Sequence, residues 1–163
     1  MTGNTKLSDY VMKFVAAAGV KHVFMLPGGG AMHLNDSLGR CSKLTYVCNL
    51  HEQACAIAAE AYARITNGLG VAMVTAGPGG TNTLTGLAGA WLDSTPVLFI
   101  SGQVKRSDLK RNSGVRILGV QEIDIVSMLG KITKYAVTIE DPSTIRYHLE
   151  KAYFSAMTGR PGP

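Results

Sequence analysis

"VAMVTAGPGGTNTLTGLAGAWLDSTPVLFIS", residues 71–101, decides the fold. Val71 to Thr75 is a short run, apolar on both faces, and reads as a buried strand. Ala76 to Gly80 holds three glycines and a proline, the composition of a tight loop. Thr81 to about Leu92 carries helix formers, and Pro96 to Ser101 is a second apolar strand. Strand, loop, helix and strand in that order are the unit of a parallel sheet. A strand without polar alternation belongs in a sheet covered on both sides.

The same rhythm extends outward. Toward the N-terminus, Leu7, Val11, Phe14, Val15 and Ala18 fall at helical spacing, with Asn4 or Thr5 as a cap and Gly19 as a stop. "HVFML" (22–26) reads as a strand, "PGGG" (27–30) as a loop, and about 31–38 as a short helix. "LTYVC" (44–48) is the next strand, and a helix runs from about His51 to Thr66, closed by Asn67-Gly68. Toward the C-terminus, 102–119 is a long basic connection. It leads into an expected helix at about 121–129, a strand at 132–139 and a helix at 143–158. The fold class is α/β, an open parallel β-sheet with helices on both faces, in a single domain spanning 1–163.

Composition narrows the function classes. Hydrophobic residues make up 46% and charged residues 17%, which excludes a disordered chain or a coiled coil. So small a charged fraction also points to a surface covered by another chain. The net charge of +5 is uneven: Lys105, Arg106, Lys110, Arg111 and Arg116 stand against a single Asp108. This stretch is either a solvated loop or a rim that attracts acidic substrates. Without interleaved aromatics it is no nucleic-acid surface. Cys41, Cys48 and Cys55 form no C-x-x-C pair and read as reduced packing residues, as do Trp91 and Tyr62 among the aromatics. No apolar run reaches membrane-spanning length, and the N-terminus lacks the apolar core of a signal peptide. The expectation is a cytoplasmic protein with no membrane partner.

In an open parallel sheet, ligands bind beyond the carboxyl ends of the strands. Three pieces fall there: Gly28–Gly30, His51-Glu52, and Gly77-Pro78-Gly79-Gly80. Neither glycine loop fits G-x-G-x-x-G, because His33 and Asn82 occupy the third glycine position, and no P-loop is present. The histidines lack metal-ligand spacing, so no metal site is expected in this chain. No G-x-S-x-G frame surrounds Ser94 or Ser101. Glu52 opens its helix, where the dipole alone favours a carboxylate by about 0.3–1 kcal/mol. Yet Ala54, Cys55, Ala56, Ile57, Ala58 and Ala59 offer it no cation, and a desolvated carboxyl there is suited to hold or share a proton. Both readings stand on position alone.

The stretches "VFMLPGGGAMHLNDSL", "HEQACAIAAEAYAR", "TAGPGGTNTLTGLAGAWLDSTPVLFISGQV" and "GVQEIDI" resemble the N-terminal pyrimidine-binding domain of thiamine diphosphate-dependent enzymes, most closely the acetolactate synthase large-subunit group. The resemblance covers essentially the whole chain and implies the thiamine diphosphate-binding, pyrimidine-domain fold. It also implies that Glu52 hydrogen-bonds the aminopyrimidine N1′ of thiamine diphosphate, favouring the imino tautomer that deprotonates the thiazolium C2. Pro78, Gly79 and Asn82 match positions lining the pyrimidine pocket. Gly28 and Gly29 match the loop approaching the reacting centre, and Gln121 matches a glutamine facing it. The substrate implied is a 2-oxo acid.

The helix "LTGLAGAWLDS" resembles one packed across a dimer interface, so a homodimer or homotetramer is expected. Similar enzymes bind the diphosphate and Mg²⁺ through a Gly-Asp-Gly motif on another domain, and 1–163 contains none. The chain is therefore expected to be the N-terminal piece of a larger enzyme, folded but inactive alone; FAD elsewhere in a parent protein stays open. The sequence departs from the group at Gly30, where alanine is usual, at Val120, where an aromatic is usual, and in its long 104–118 stretch. These leave acetolactate synthase and other 2-oxo-acid carboligases or decarboxylases open. A non-catalytic nucleotide-binding or dimerisation module is the alternative.

Overall fold

The computed structural model describes residues 5–163. In chain order the elements are α1 (Leu7–Ala17), β1 (His22–Met25), α2 (Met32–Gly39), β2 (Thr45–Cys48), α3 (Glu52–Thr66), β3 (Gly70–Val74), α4 (Pro78–Thr81), α5 (Leu84–Leu92), β4 (Val97–Ser101), α6 (Ile125–Leu129) and α7 (Ile145–Met157), with short 3₁₀ turns between some of them. The four strands form one sheet in the order β2-β1-β3-β4. All neighbours are parallel, with Phe24 opposite Ala72 and Ala72 opposite Phe99.

Every residue of β3 is buried, and the pleat sends alternate side chains to two different cores. Val71 and Met73 join Val11, Met12 and Val15 of α1, Leu38 of α2 and Leu149 of α7 on one face. Ala72 faces the other way, with Ala59 of α3, Ala90 of α5 and the rings of Phe24 and Phe99. On that second face the small residues let backbones come close. A Cβ on Gly70 would lie 2.1 Å from the Ala59 carbonyl oxygen, and one on Gly86 would lie 2.5 Å from the Ala56 Cβ.

Helix ends follow local chemistry. Asn67 takes a left-handed conformation (φ 51°) as the C-cap of α3, and Gly19 (φ 86°) ends the first helical segment. Of the two expected caps of α1, Asn4 lies outside the described residues and Thr5 does not serve. Lys6 holds the cap position without a side-chain bond. The expected helix 81–92 is two helices, because the chain turns at Asn82-Thr83 between α4 and α5. The expected helix 121–129 shrinks to α6. Gln121 has φ 60°, outside the helical region, and Asp124 caps α6 by accepting from the Ser127 N–H.

The expected strand at 132–139 does not form. Its residues are of strand type, but a strand needs a pairing neighbour, and the Lys134 N–H donates instead to the carbonyl of Pro163 at 2.8 Å. A cavity of about 320 Å³, lined by Val97, Phe99, Tyr135, Val137 and Leu149, separates this segment from β4. Among the cysteines Cys55 is buried, and burial pushes its thiol up to about 11. Cys48 is exposed, contrary to the packing role expected of it. Tyr62 does pack, its ring edge-on to His22 and Phe24. Among the described residues no helix is long and apolar enough to cross a membrane.

Candidate functional site

β3 runs out at Val74, and the next residue, Thr75, is the floor on which both glycine loops rest. A Cβ on Gly28 would lie 2.5 Å from the Thr75 Cβ, one on Gly79 would lie 2.6 Å from its Cγ2, and one on Gly30 would lie 3.0 Å from its Oγ1. The glycines are therefore required by packing, and turning the chain is secondary. Gly102 adds to the same crowding, since a Cβ there would fall 2.3 Å from the Gly30 carbonyl oxygen. The Ser101 hydroxyl donates to the Thr75 carbonyl at 3.2 Å, tying the end of β4 to this floor. Gly29 differs: nothing lies within 4 Å of where its side chain would be, so it faces open space.

Glu52 is the first residue of α3 and is buried, at 9% exposure. His51 explains how the helix starts there. It has extended backbone, and its Nδ1 accepts from the Gln53 N–H at 3.1 Å, an N-cap formed by an imidazole. The carboxylate of Glu52 is aimed across to the second glycine loop. Its Oε2 accepts from the Asn82 side-chain amide at 2.9 Å. Its Oε1 lies 3.5 Å from the place a Gly79 side chain would begin. No cation pairs with Glu52 among the described residues, which matches the apolar neighbourhood read from 54–59.

The predicted site residues are thus placed as follows. Gly28, Gly79, Glu52 and Asn82 converge on the carboxyl end of β3. Pro78 stands at the first position of α4, where the missing N–H costs nothing, and is exposed. Gln121 arrives from a distant segment and lays its backbone on Gly77: a Cβ on that glycine would lie 2.3 Å from the Gln121 carbonyl oxygen. Gly77 itself has φ 62°, so two independent constraints require glycine there.

Two residues of this region carry no sequence signal that singles them out. Thr75 is an ordinary strand-end threonine until the three glycines are seen around it. Glu122 is read as part of "VQE", yet it is a buried carboxylate that binds backbone N–H groups. The basic stretch is partly consumed internally. Arg111 pairs with Glu140 at 3.0 Å, and Arg106 donates to the Glu140 carbonyl at 2.9 Å. Among the described residues no cluster of three or more His, Cys, Asp or Glu side chains suits a metal ion.

Chemically, the arrangement offers a desolvated carboxylate with one oxygen held by an amide and the other facing a gap kept open by glycine. The donor set suits a neutral, planar, hydrogen-bonding ring, which can donate to Oε1 while resting on a surface without side chains. It does not suit a phosphate, because among the described residues no lysine or arginine pairs with Glu52 and the carboxylate itself repels an anion. The 320 Å³ cavity beside β4 does not include Glu52.

Comparison with known proteins gives the family. Residues 5–128 match the family described as thiamine pyrophosphate enzyme, N-terminal TPP binding domain. An acetolactate synthase of Arthrospira platensis is 42% identical over 148 residues, covering 89% of this chain and 24% of the relative. Acetolactate synthase 2, chloroplastic, of Nicotiana tabacum is 40% identical over 161 residues, covering 97% of this chain and 23% of the relative. The acetolactate synthase large subunit of Lactococcus lactis is 36% identical, covering 98% and 27%. The chain spans about a quarter of the length of these relatives. With a parallel sheet, a glutamate at the head of α3 and a family match over most of its length, the chain belongs to the thiamine pyrophosphate enzymes, as their N-terminal TPP binding domain.

Proposed function

We propose that this domain, spanning 1–163, is the pyrimidine-binding, cofactor-activating half of a thiamine diphosphate site in an acetolactate synthase-like carboligase or decarboxylase acting on a 2-oxo acid. The observation that carries the reading is the buried Glu52 carboxylate, held on one side by Asn82 and beside Gly79 on the other. Bound thiamine diphosphate supplies the electron sink for bond making or breaking next to the substrate carbonyl. Glu52 shares a proton with the pyrimidine ring nitrogen, giving it up to the nitrogen lone pair as the imino tautomer forms.

Asn82 fixes which way the carboxyl points, and Pro78 and Gly79 leave the ring room to lie flat. Gly28 and Gly29 border the reacting centre, and Gln121 reaches it from the turn over Gly77. The exposed apolar side chains of Leu50 and Ile57, on the segment that carries Glu52, support a half-site, completed by a second copy of the chain in a homodimer or homotetramer. The relatives are about four times as long as this chain. That supports placing the diphosphate and Mg²⁺ contacts, and any FAD site, outside these residues. A cytoplasmic location is part of the same reading; some relatives carry chloroplastic or mitochondrial in their names.

Glu52→Gln in the complete enzyme tests the proposal. The amide keeps the shape but cannot give up and regain a proton, so exchange of the cofactor's C2 hydrogen slows by at least about 100-fold, the usual scale of general acid–base assistance. Exchange at the wild-type rate, measured by NMR after acid quench, removes Glu52 from the chemistry.

A further inference from the structure

We propose that Glu122 is a positioning residue, whose buried carboxylate staples the two ends of the basic 110–119 loop and so sets Gln121 over the Gly77 loop. Resting on the half-site reading above, it adds a residue to which neither the family match nor the chemistry assigns a task.

Glu122 is 8% exposed, while Val120, two residues before it, is 86% exposed. Its Oε1 accepts from the Lys110 N–H at 2.7 Å. Its Oε2 accepts from the Leu118 N–H at 3.2 Å and the Gly119 N–H at 3.3 Å. The two ends of the loop are thereby joined through one side chain. The Glu122 N–H closes a turn by donating to the Gly119 carbonyl at 3.2 Å. No ion pair reaches Glu122 among the described residues. Burial works against the ionised carboxyl, but the N–H bonds from Lys110, Leu118 and Gly119, with the nearby Lys110 charge, outweigh it and hold the group below the usual glutamate range.

A buried carboxylate is a costly way to close a loop, and an apolar side chain would cover it more cheaply. What the carboxylate provides is geometry. Gln121 sits in the left-handed region, φ 60°, where a glycine would be unstrained, and its carbonyl occupies the space over Gly77. Arg111, at the other end of the loop, is also left-handed, φ 42°. Such conformations persist where the surroundings over-determine them. Here Glu122 supplies that determination at both places, from one point. The same staple locates Lys110 and Arg111, which with Glu122 and Glu140 line a cavity of about 230 Å³.

The test is Glu122→Gln in the complete enzyme, read by amide hydrogen exchange and by kinetics. A glutamine keeps one acceptor oxygen but presents an NH₂ where the second carboxylate oxygen stood. The amides of Lys110, Leu118 and Gly119 should lose about tenfold or more of their protection, while those of 71–74 in β3 stay unchanged. KM for the 2-oxo acid should rise severalfold, with thiamine diphosphate affinity retained. Unchanged loop protection overturns the staple, and lost protection with unchanged KM and kcat overturns the positioning of Gln121. If Glu122→Gln does not fold, Glu122→Asp, which keeps the charge but withdraws it by one methylene, is read the same way. Wild-type titration with thiamine diphosphate and Mg²⁺ separates the two ideas: failure to bind refutes the half-site, while the exchange result still decides the staple.

Discussion

The floor under the two glycine loops can be tested by a double-mutant cycle on Gly79 and Thr75. In Gly79→Ala the new methyl falls 2.6 Å from the Thr75 Cγ2, while the next neighbours, the Glu52 Oε1 at 3.5 Å and the Thr75 Cβ at 3.6 Å, are at ordinary contact distance. Thr75 cannot swing aside, because Gly28 and Gly30 press on it from the opposite loop. Overpacking of this kind costs about 1–3 kcal/mol. The better helix propensity of alanine offsets less than about 1 kcal/mol, and α4 is only four residues long. Thr75→Ser removes the offending methyl, keeps the hydroxyl, and by itself costs about 1 kcal/mol of lost burial. In the double variant the clash is gone and the alanine fills the vacated space. The pair should then fall short of the sum of the single effects by about 1–2 kcal/mol. Urea unfolding followed through Trp91 fluorescence, with unchanged m, measures each term. Additivity within about 0.5 kcal/mol would refute the claim that the methyl of Thr75 is what excludes a side chain at 79.

Gly77→Ala meets both a left-handed backbone and the Gln121 carbonyl at 2.3 Å, and should destabilise by about 2–4 kcal/mol in the same assay. Neutralising Lys105, Arg106, Lys110 and Arg111 together should raise KM for an anionic 2-oxo acid and flatten its salt dependence. Kinetics unchanged across ionic strength would mark the stretch as a solvated loop. The Asp124 carboxyl is held below its usual 3.8 by bonds from the Ser127 hydroxyl and N–H. Its contribution is therefore complete above that value and lost as pH falls through the lower folded value. Asp124→Asn should flatten the acid limb of stability against pH, read from urea midpoints between about pH 5 and 2.

The sheet was legible because burial on two faces leaves an unmistakable mark: 71–75 and 96–101 have no polar alternation to hide. The strand at 132–139 was misread because residue type describes what a segment tolerates, whereas a strand exists only with a neighbour to bond. Glu52 was legible as an acid out of place among alanines, and Gly28 and Gly79 as loop glycines. Their reason was not, since Thr75 becomes the common obstacle only when loops separated by some fifty residues are folded together. Glu122 was hidden for a related cause. Its partners are backbone N–H groups, which every residue possesses, so no pattern of side chains announces them.

Among the described residues, β4 pairs with β3 on one side and with no strand on the other. An unpaired outer strand is a template for foreign extended chains and hence for edge-to-edge aggregation. With Leu98, Phe99 and Ile100 half-buried along it, this edge has the apolar character that makes such growth favourable. The segment across the 320 Å³ cavity, by failing to be a strand, serves as a loose cover. Its integrity governs colloidal behaviour: a protease cut near Tyr135 would uncover the edge, and the preparation would scatter light as its concentration rises.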